Sequence, residues 1–210
     1  MRIAQIQDAQ GTLSQDHSAD VIEVLRSGSV VVYPTDTLYG LGVDACSKTA
    51  IAKLYALKKR EQAPVSVLMG SVDHLLEIVK DLSDVAEELI RRHMPGALTV
   101  ITHTTYDFAP QLFSQKGTIG FRVPGDRIST QLPRLLERPI TTTSVNPAGL
   151  DPATSRAEVE GYYANEVELM LDIGVIPPSL GSTVIDLTSQ PFTILREGEI
   201  SRHALQEFLK

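Results

Sequence analysis

Apolar positions along this chain recur with two periods, and the changes from one to the other outline its elements. Ala19, Ile22 and Leu25 or Arg26 lie near one face of a helix predicted over Asp16 to Ser27, with Gly28 placed to end it. Ser29 to Tyr33 is a β-branched run stopped by Pro34 and predicts a buried strand. Ser47 is set to cap a helix carrying Ile51, Leu54, Tyr55 and Lys58. A short strand over Val65 to Met69 follows, then helices near Val72 to Val79 and Ser83 to His93. Strands are predicted at Ala97 to Thr102, Thr118 to Val123 and Ile140 to Ser144, with a helix from about Ser129 to Leu136 between the last two. Ser155 and Glu158 have capping-box spacing for a helix into Tyr163. Strands at Leu169 to Ile173, Thr183 to Leu187 and Thr193 to Arg196 precede a predicted C-terminal helix from Ser201. Strands alternating with helices argue a three-layer α/β fold, and the run of late strands argues a mixed rather than parallel sheet.

Composition fits one globular domain over residues 1–210, with its core in about 16–200. The chain is 42% hydrophobic and 21% charged, and no linker or repeat divides it. No apolar run reaches the ~20 residues of a membrane helix, and no secretory signal is visible. The single cysteine, Cys46, excludes an internal disulfide framework, so a cytoplasmic setting is expected. Nineteen Lys and Arg against 26 Asp and Glu give a net charge of −7, which disfavours a broad duplex-binding surface but permits a local basic pocket. The five histidines lack metal-ligand spacing, and there is no Gly-x-Ser-x-Gly nucleophile elbow.

Several segments could carry chemistry. In Tyr33-Pro34-Thr35-Asp36-Thr37-Leu38-Tyr39-Gly40-Leu41-Gly42 an apolar strand runs into hydroxyls, a carboxylate and glycines, a composition that suits either a ligand-holding strand end or an ordinary turn. Lys58-Lys59-Arg60 ends a predicted helix, as a dipole-complementing turn or as an anion clamp. Thr118, Gly120 and Arg122 share one face of a strand, while Ile119, Phe121 and Val123 share the other. Thr141 to Ser144 and Asn146 offer hydroxyls and an amide before an Asn-Pro turn.

Taken in order, these segments resemble the YrdC-like family, the L-threonylcarbamoyladenylate synthases of tRNA modification. The match runs through Pro34 to Gly42, Lys58-x-Arg60, Thr118-x-Gly120-x-Arg122-Val123-Pro124, Ser144-x-Asn146, Ser182 to Asp186 and Arg196-x-Gly198. The resemblance implies a twisted mixed sheet with helices on both faces and a concave basic cleft. It implies a nucleotidyl transfer that joins L-threonine, bicarbonate or CO2 and ATP into threonylcarbamoyl-adenylate, with release of pyrophosphate. The product would pass to a separate transferase complex acting on adenosine 37 of tRNA. After Arg60 the chain departs from the family's usual Lys-x-Arg-Pro and is one residue shorter.

By the same resemblance, Thr37 and Arg122 would contact threonine, with Arg122 on its carboxylate, and Thr142 and Ser182 would add polar contacts on that side. Lys58 and Arg60 would face the ATP phosphates and the carbamate. Thr118, Ser144, Asn146 and Arg196 would contact the nucleotide. A Mg2+ ion is expected with the ATP, and no membrane is involved. Two alternatives stand beside this reading: an RNA-binding module making a local tRNA contact, and a divergent paralogue that binds or hydrolyses the adenylate.

Overall fold

Among the described residues, fourteen of the sixteen helices and strands follow from caps and alternation much as the sequence predicts. The computed structural model describes residues 1–8, 11–59 and 65–209. Its strands are β1 (Arg2–Gln5), β2 (Val31–Pro34), β3 (Tyr39–Gly42), β4 (Ser66–Leu68), β5 (Leu98–Thr102), β6 (Ile119–Arg122), β7 (Ile140–Ser144), β8 (Leu169–Asp172), β9 (Thr183–Asp186) and β10 (Thr193–Arg196). Its helices are α1 (Gln15–Arg26), α2 (Lys48–Lys58), α3 (Val72–Ile78), α4 (Asp84–His93), α5 (Arg127–Leu136) and α6 (Arg156–Tyr163). The expected caps form at Ser47 and Ser155, where Glu158 closes the capping box, and Ser83 caps α4 as well; each serine accepts a backbone N–H three residues on.

The strands make one mixed sheet in the order β1-β8-β2-β3-β7-β4-β6-β5-β9-β10. Four features differ from the sequence expectation. First, β1 pairs parallel with β8, a partner more than 160 residues away, so no local pattern announces it. Second, Tyr39–Gly42 is a strand, antiparallel to both β2 and β7. Its two glycines lower strand propensity, but the packing requires them: a Cβ on Gly40 or Gly42 would lie 2.9 or 2.7 Å from the Tyr33 ring. Third, α1 buries Val21, Val24 and Leu25, while Ala19 is exposed and Ile22 only partly covered. The buried face is therefore rotated from the predicted one. Fourth, the C-terminal segment is a run of turns with a 3-10 turn at Gln206–Phe208, not an α-helix, although Leu205 and Phe208 are buried.

Side-chain alternation on the strands separates two cores. Ile51, Leu54, Leu75, Leu89, Ile90 and Val159, from α2, α3, α4 and α6, pack with one sheet face that includes Val67, Val100, Phe121 and Ile185. On the opposite face, Val21, Val24 and Leu25 of α1 and Ile128, Leu132 and Leu136 of α5 cover Tyr33, Leu68, Ile140 and Leu169. That smaller cluster takes no residue from β5, β6 or β9. Two helices therefore cover only part of this face, and the bare remainder is where a ligand can sit. Among the described residues, no helix is long and apolar enough to cross a membrane.

Candidate functional site

A cleft of about 500 Å3 opens on the bare sheet face. The β2–β3 turn supplies its first wall. Thr35 Oγ1 accepts the amide N–H groups of Thr37 and Leu38 and donates to the Leu38 carbonyl, which fixes the turn and orients Thr37. Arg122, at the end of β6, is the cation that this turn receives. Its Nη1 donates to Thr37 Oγ1 at 3.0 Å, its Nη2 to Asp36 Oδ1, and its Nε to the Gly96 carbonyl at 3.3 Å. Of five guanidinium N–H bonds, three are thereby donated, leaving one on each Nη for a ligand carboxylate. Asp36 also accepts the Gly125 amide at 2.9 Å. Arg122 is only 6% exposed, a buried, paired cation where a solvated side chain would be usual for a strand arginine.

Arg196, on β10, reaches the same cleft from the far edge of the sheet. It donates to the Ser182 carbonyl from Nε and Nη2, at 3.3 and 2.8 Å, and to Ser182 Oγ at 3.2 Å. Packing around its head group, and then repulsion by Arg122, lower its pKa from the ordinary arginine value. Among the described residues no carboxylate pairs with it, so Arg196 is a cation in want of an anion. Ser182 Oγ in turn bonds Thr99 Oγ1 at 2.8 Å. Lys58, the last residue of α2, is buried, and its ammonium donates to Thr143 Oγ1 (3.1 Å) and the Ser144 carbonyl (2.5 Å). Both acceptors line the cleft, which places a third positive charge just behind its wall.

Cations from α2, β6 and β10 thus converge on one hydroxyl-lined hollow. The profile of the Sua5/YciO/YrdC family, described as telomere recombination, matches residues 23–198. This chain belongs to that family. A Mycobacterium tuberculosis protein with a provisional designation as threonylcarbamoyl-AMP synthase is 33% identical over 189 residues, 90% of this chain and 87% of that protein. A Pyrococcus abyssi protein named threonylcarbamoyl-AMP synthase is 30% identical over 186 residues, 88% of this chain but 55% of its own length. The crystal structure of P. abyssi Sua5 complexed with L-threonine superposes with a TM-score of 0.91 at 27% identity, covering 100% of this chain and 61% of that one. The longer family members therefore extend well beyond the part matched here.

Of the residues singled out from the sequence, Thr37, Arg122, Thr142, Ser144, Ser182 and Arg196 line the cleft. Asn146 does not. Its Oδ1 accepts Ser144 Oγ at 2.6 Å and its Nδ2 donates to the Leu150 carbonyl, so it props Ser144 from behind. Thr118 bonds Ser114 Oγ and lines a larger neighbouring cleft of about 1210 Å3; Ile101 borders both clefts. Arg60 lies outside the described residues. Thr143 belongs to the hydroxyl-bearing segment read from the sequence and also lines the cleft; Thr99 and Ser66, which the sequence reading does not single out, do so as well. The roles of Thr35 and Asp36 depend on turn geometry that spacing does not reveal.

Burial raises the Tyr39 hydroxyl to about 12, and it stays a neutral donor to the Gly174 carbonyl at 2.8 Å. Burial likewise raises Asp126, with Asp36 adding repulsion. The donor set does not fit a protein-held Mg2+: among the described residues no cluster of His, Cys, Asp or Glu could hold a metal, and Asp36 is committed to Arg122 and Gly125. A magnesium ion would accordingly enter as part of MgATP, as substrate.

Proposed function

We propose that this chain is a threonylcarbamoyl-AMP synthase, condensing L-threonine, bicarbonate or CO2 and ATP. The observation that carries the reading is the half-used Arg122 fork, held by Thr37 and Asp36 in the same cleft as Arg196, which pairs with no carboxylate among the described residues. Arg122 takes the threonine carboxylate on its two remaining N–H bonds, while Thr37, Thr142 and Ser182 surround the rest of the amino acid. Arg196, Ser144 and Lys58, together with Arg60, meet the nucleotide. Thr118 borders the adjoining, more apolar space that a nucleoside would need.

The threonine amine joins the carboxyl carbon of bicarbonate, with loss of water, or adds to CO2, giving a carbamate. A carbamate oxygen then bonds the α-phosphorus as the bond to the β-phosphate oxygen breaks and pyrophosphate departs. No protein nucleophile is required: the cleft's contribution is positioning and charge stabilisation. A separate transferase then moves the threonylcarbamoyl group from the adenylate to adenosine 37 of tRNA, with AMP as the leaving group, in the cytoplasm.

The test is pyrophosphate release by the purified chain with MgATP. Release that depends on both threonine and bicarbonate is the expected result. Release independent of either one refutes the reading.

A further inference from the structure

Nearly every hydroxyl on the cleft lining already has a partner inside the protein. Thr35 and Thr37 bond one another, Thr99 bonds Ser182, Thr143 accepts Lys58, and Ser144 donates to Asn146. Tyr39 donates to Gly174 and Ser179 to Glu199, while Thr142 lies beside the Tyr33 hydroxyl. Ser66 has neither kind of neighbour. Its side chain lines the cleft, yet among the described residues its hydroxyl meets no hydrogen-bonding partner. Polar groups at the bottom of a ligand cleft are costly to leave unpaired once water is displaced, so such a hydroxyl is placed for the ligand.

The neighbours of Ser66 keep the space before it clear. It stands in register with Thr142 on β7 and, on its other side, beside Gly120 on β6. A Cβ on Gly120 would lie 2.6 Å from Ser66 Oγ, so only glycine there leaves that hydroxyl its present position. Leu68 is the register partner of Arg122, which puts Ser66 one pleat repeat, about 7 Å, along the sheet from the arginine. An amino acid gripped by its carboxylate at Arg122 spans that interval with its side chain. The hydroxyl of threonine is the group that would arrive there needing a partner.

We infer that Ser66 is a specificity-determining residue: it hydrogen-bonds the side-chain hydroxyl of the amino acid and selects a β-hydroxy substrate over an isostere without one. The inference rests on the proposed synthase reading of the cleft. A site that bonds a substrate hydroxyl rejects its apolar analogue far more strongly than an apolar pocket can.

The experiment titrates L-threonine and its isostere L-valine into the wild type, S66A and S66T, and measures pyrophosphate release with each amino acid at saturating MgATP and bicarbonate. S66A is expected to weaken threonine binding and raise its KM about tenfold, with valine's KM and the kcat for threonine moving less than about twofold. S66T, which keeps the hydroxyl, should restore the preference. G120A, whose new methyl displaces the Ser66 hydroxyl, should lose the preference as S66A does, and serves if S66A fails to fold. Equal effects of S66A on threonine and valine, or no effect on threonine, overturn the role of Ser66 while leaving the synthase reading intact. A wild type that neither binds nor turns over threonine overturns both.

Discussion

Replacing Arg122 with alanine separates what the arginine does for substrate from what it does for the fold. Two of its N–H bonds remain for a carboxylate, and each charge-assisted bond is worth about 1.5–3 kcal/mol. Losing both therefore removes about 3–6 kcal/mol, a fall in kcat/KM of roughly a hundred- to ten-thousand-fold. The same substitution leaves the carboxylate of Asp36, 20% exposed as a side chain, with the Gly125 amide but no cation. That loss costs about 1–3 kcal/mol, and in a chain of this size each kcal/mol lowers Tm by roughly 2–4 °C. Adding D36N removes the orphaned charge, so the R122A/D36N pair should regain much of the lost Tm and none of the lost activity. Thermal unfolding and threonine-dependent pyrophosphate release measure the two effects separately. If R122A keeps its kcat/KM within about threefold, or if D36N restores the activity, the arginine does not hold the substrate carboxylate as argued.

Three further outcomes test the frame around the cleft. In G198A, the new Cβ would fall 2.3 Å from the Gly181 carbonyl oxygen and 2.6 Å from Ser182 C, so the loop that anchors Arg196 must shift; circular dichroism melts should drop and ATP-dependent turnover should fall with them. S155A removes the α6 cap and should cost about 1 kcal/mol, a Tm fall of roughly 2–4 °C, with turnover retained. His93 packs edge-on against Phe208 with its Nε2 buried and unpartnered, and burial lowers its pKa. The folded state thus disfavours the charged ring, and the unfolded chain binds the proton more readily. Its contribution to stability is full above an unfolded pKa of about 6.5 and is lost as the pH falls below it. H93Q should flatten the decline of Tm between about pH 7 and 5; an unaltered slope would exclude the imidazole as its source.

The elements that the sequence announces are those whose cause is local. Ser47, Ser83 and Ser155 cap the helices they precede, and β6 alternates as read, with Ile119 and Phe121 in the core and Arg122 in the cleft. What stays hidden depends on distant partners. β3 is a strand because Tyr33 lies flat over Gly40 and Gly42, and β1 is a strand because β8 returns beside it. The convergence of Thr37, Arg122, Ser182 and Arg196 follows from the strand order, which no spacing along the chain contains. Asn146 shows the converse limit: the Ser144-x-Asn146 spacing is right, but the hydrogen bond within it turns the amide toward Leu150 and away from the hollow.

The unequal shelter of the two arginines has an experimental corollary in ionic strength. Arg122 lies beneath the surface against its own counter-charge, where dissolved ions scarcely reach, whereas Arg196 stands at the exposed rim and pairs with no acid among the described residues. Rising potassium chloride should loosen the grip on the polyphosphate well before it disturbs the amino acid, so that KM for MgATP climbs along a titration in which KM for threonine stays nearly level.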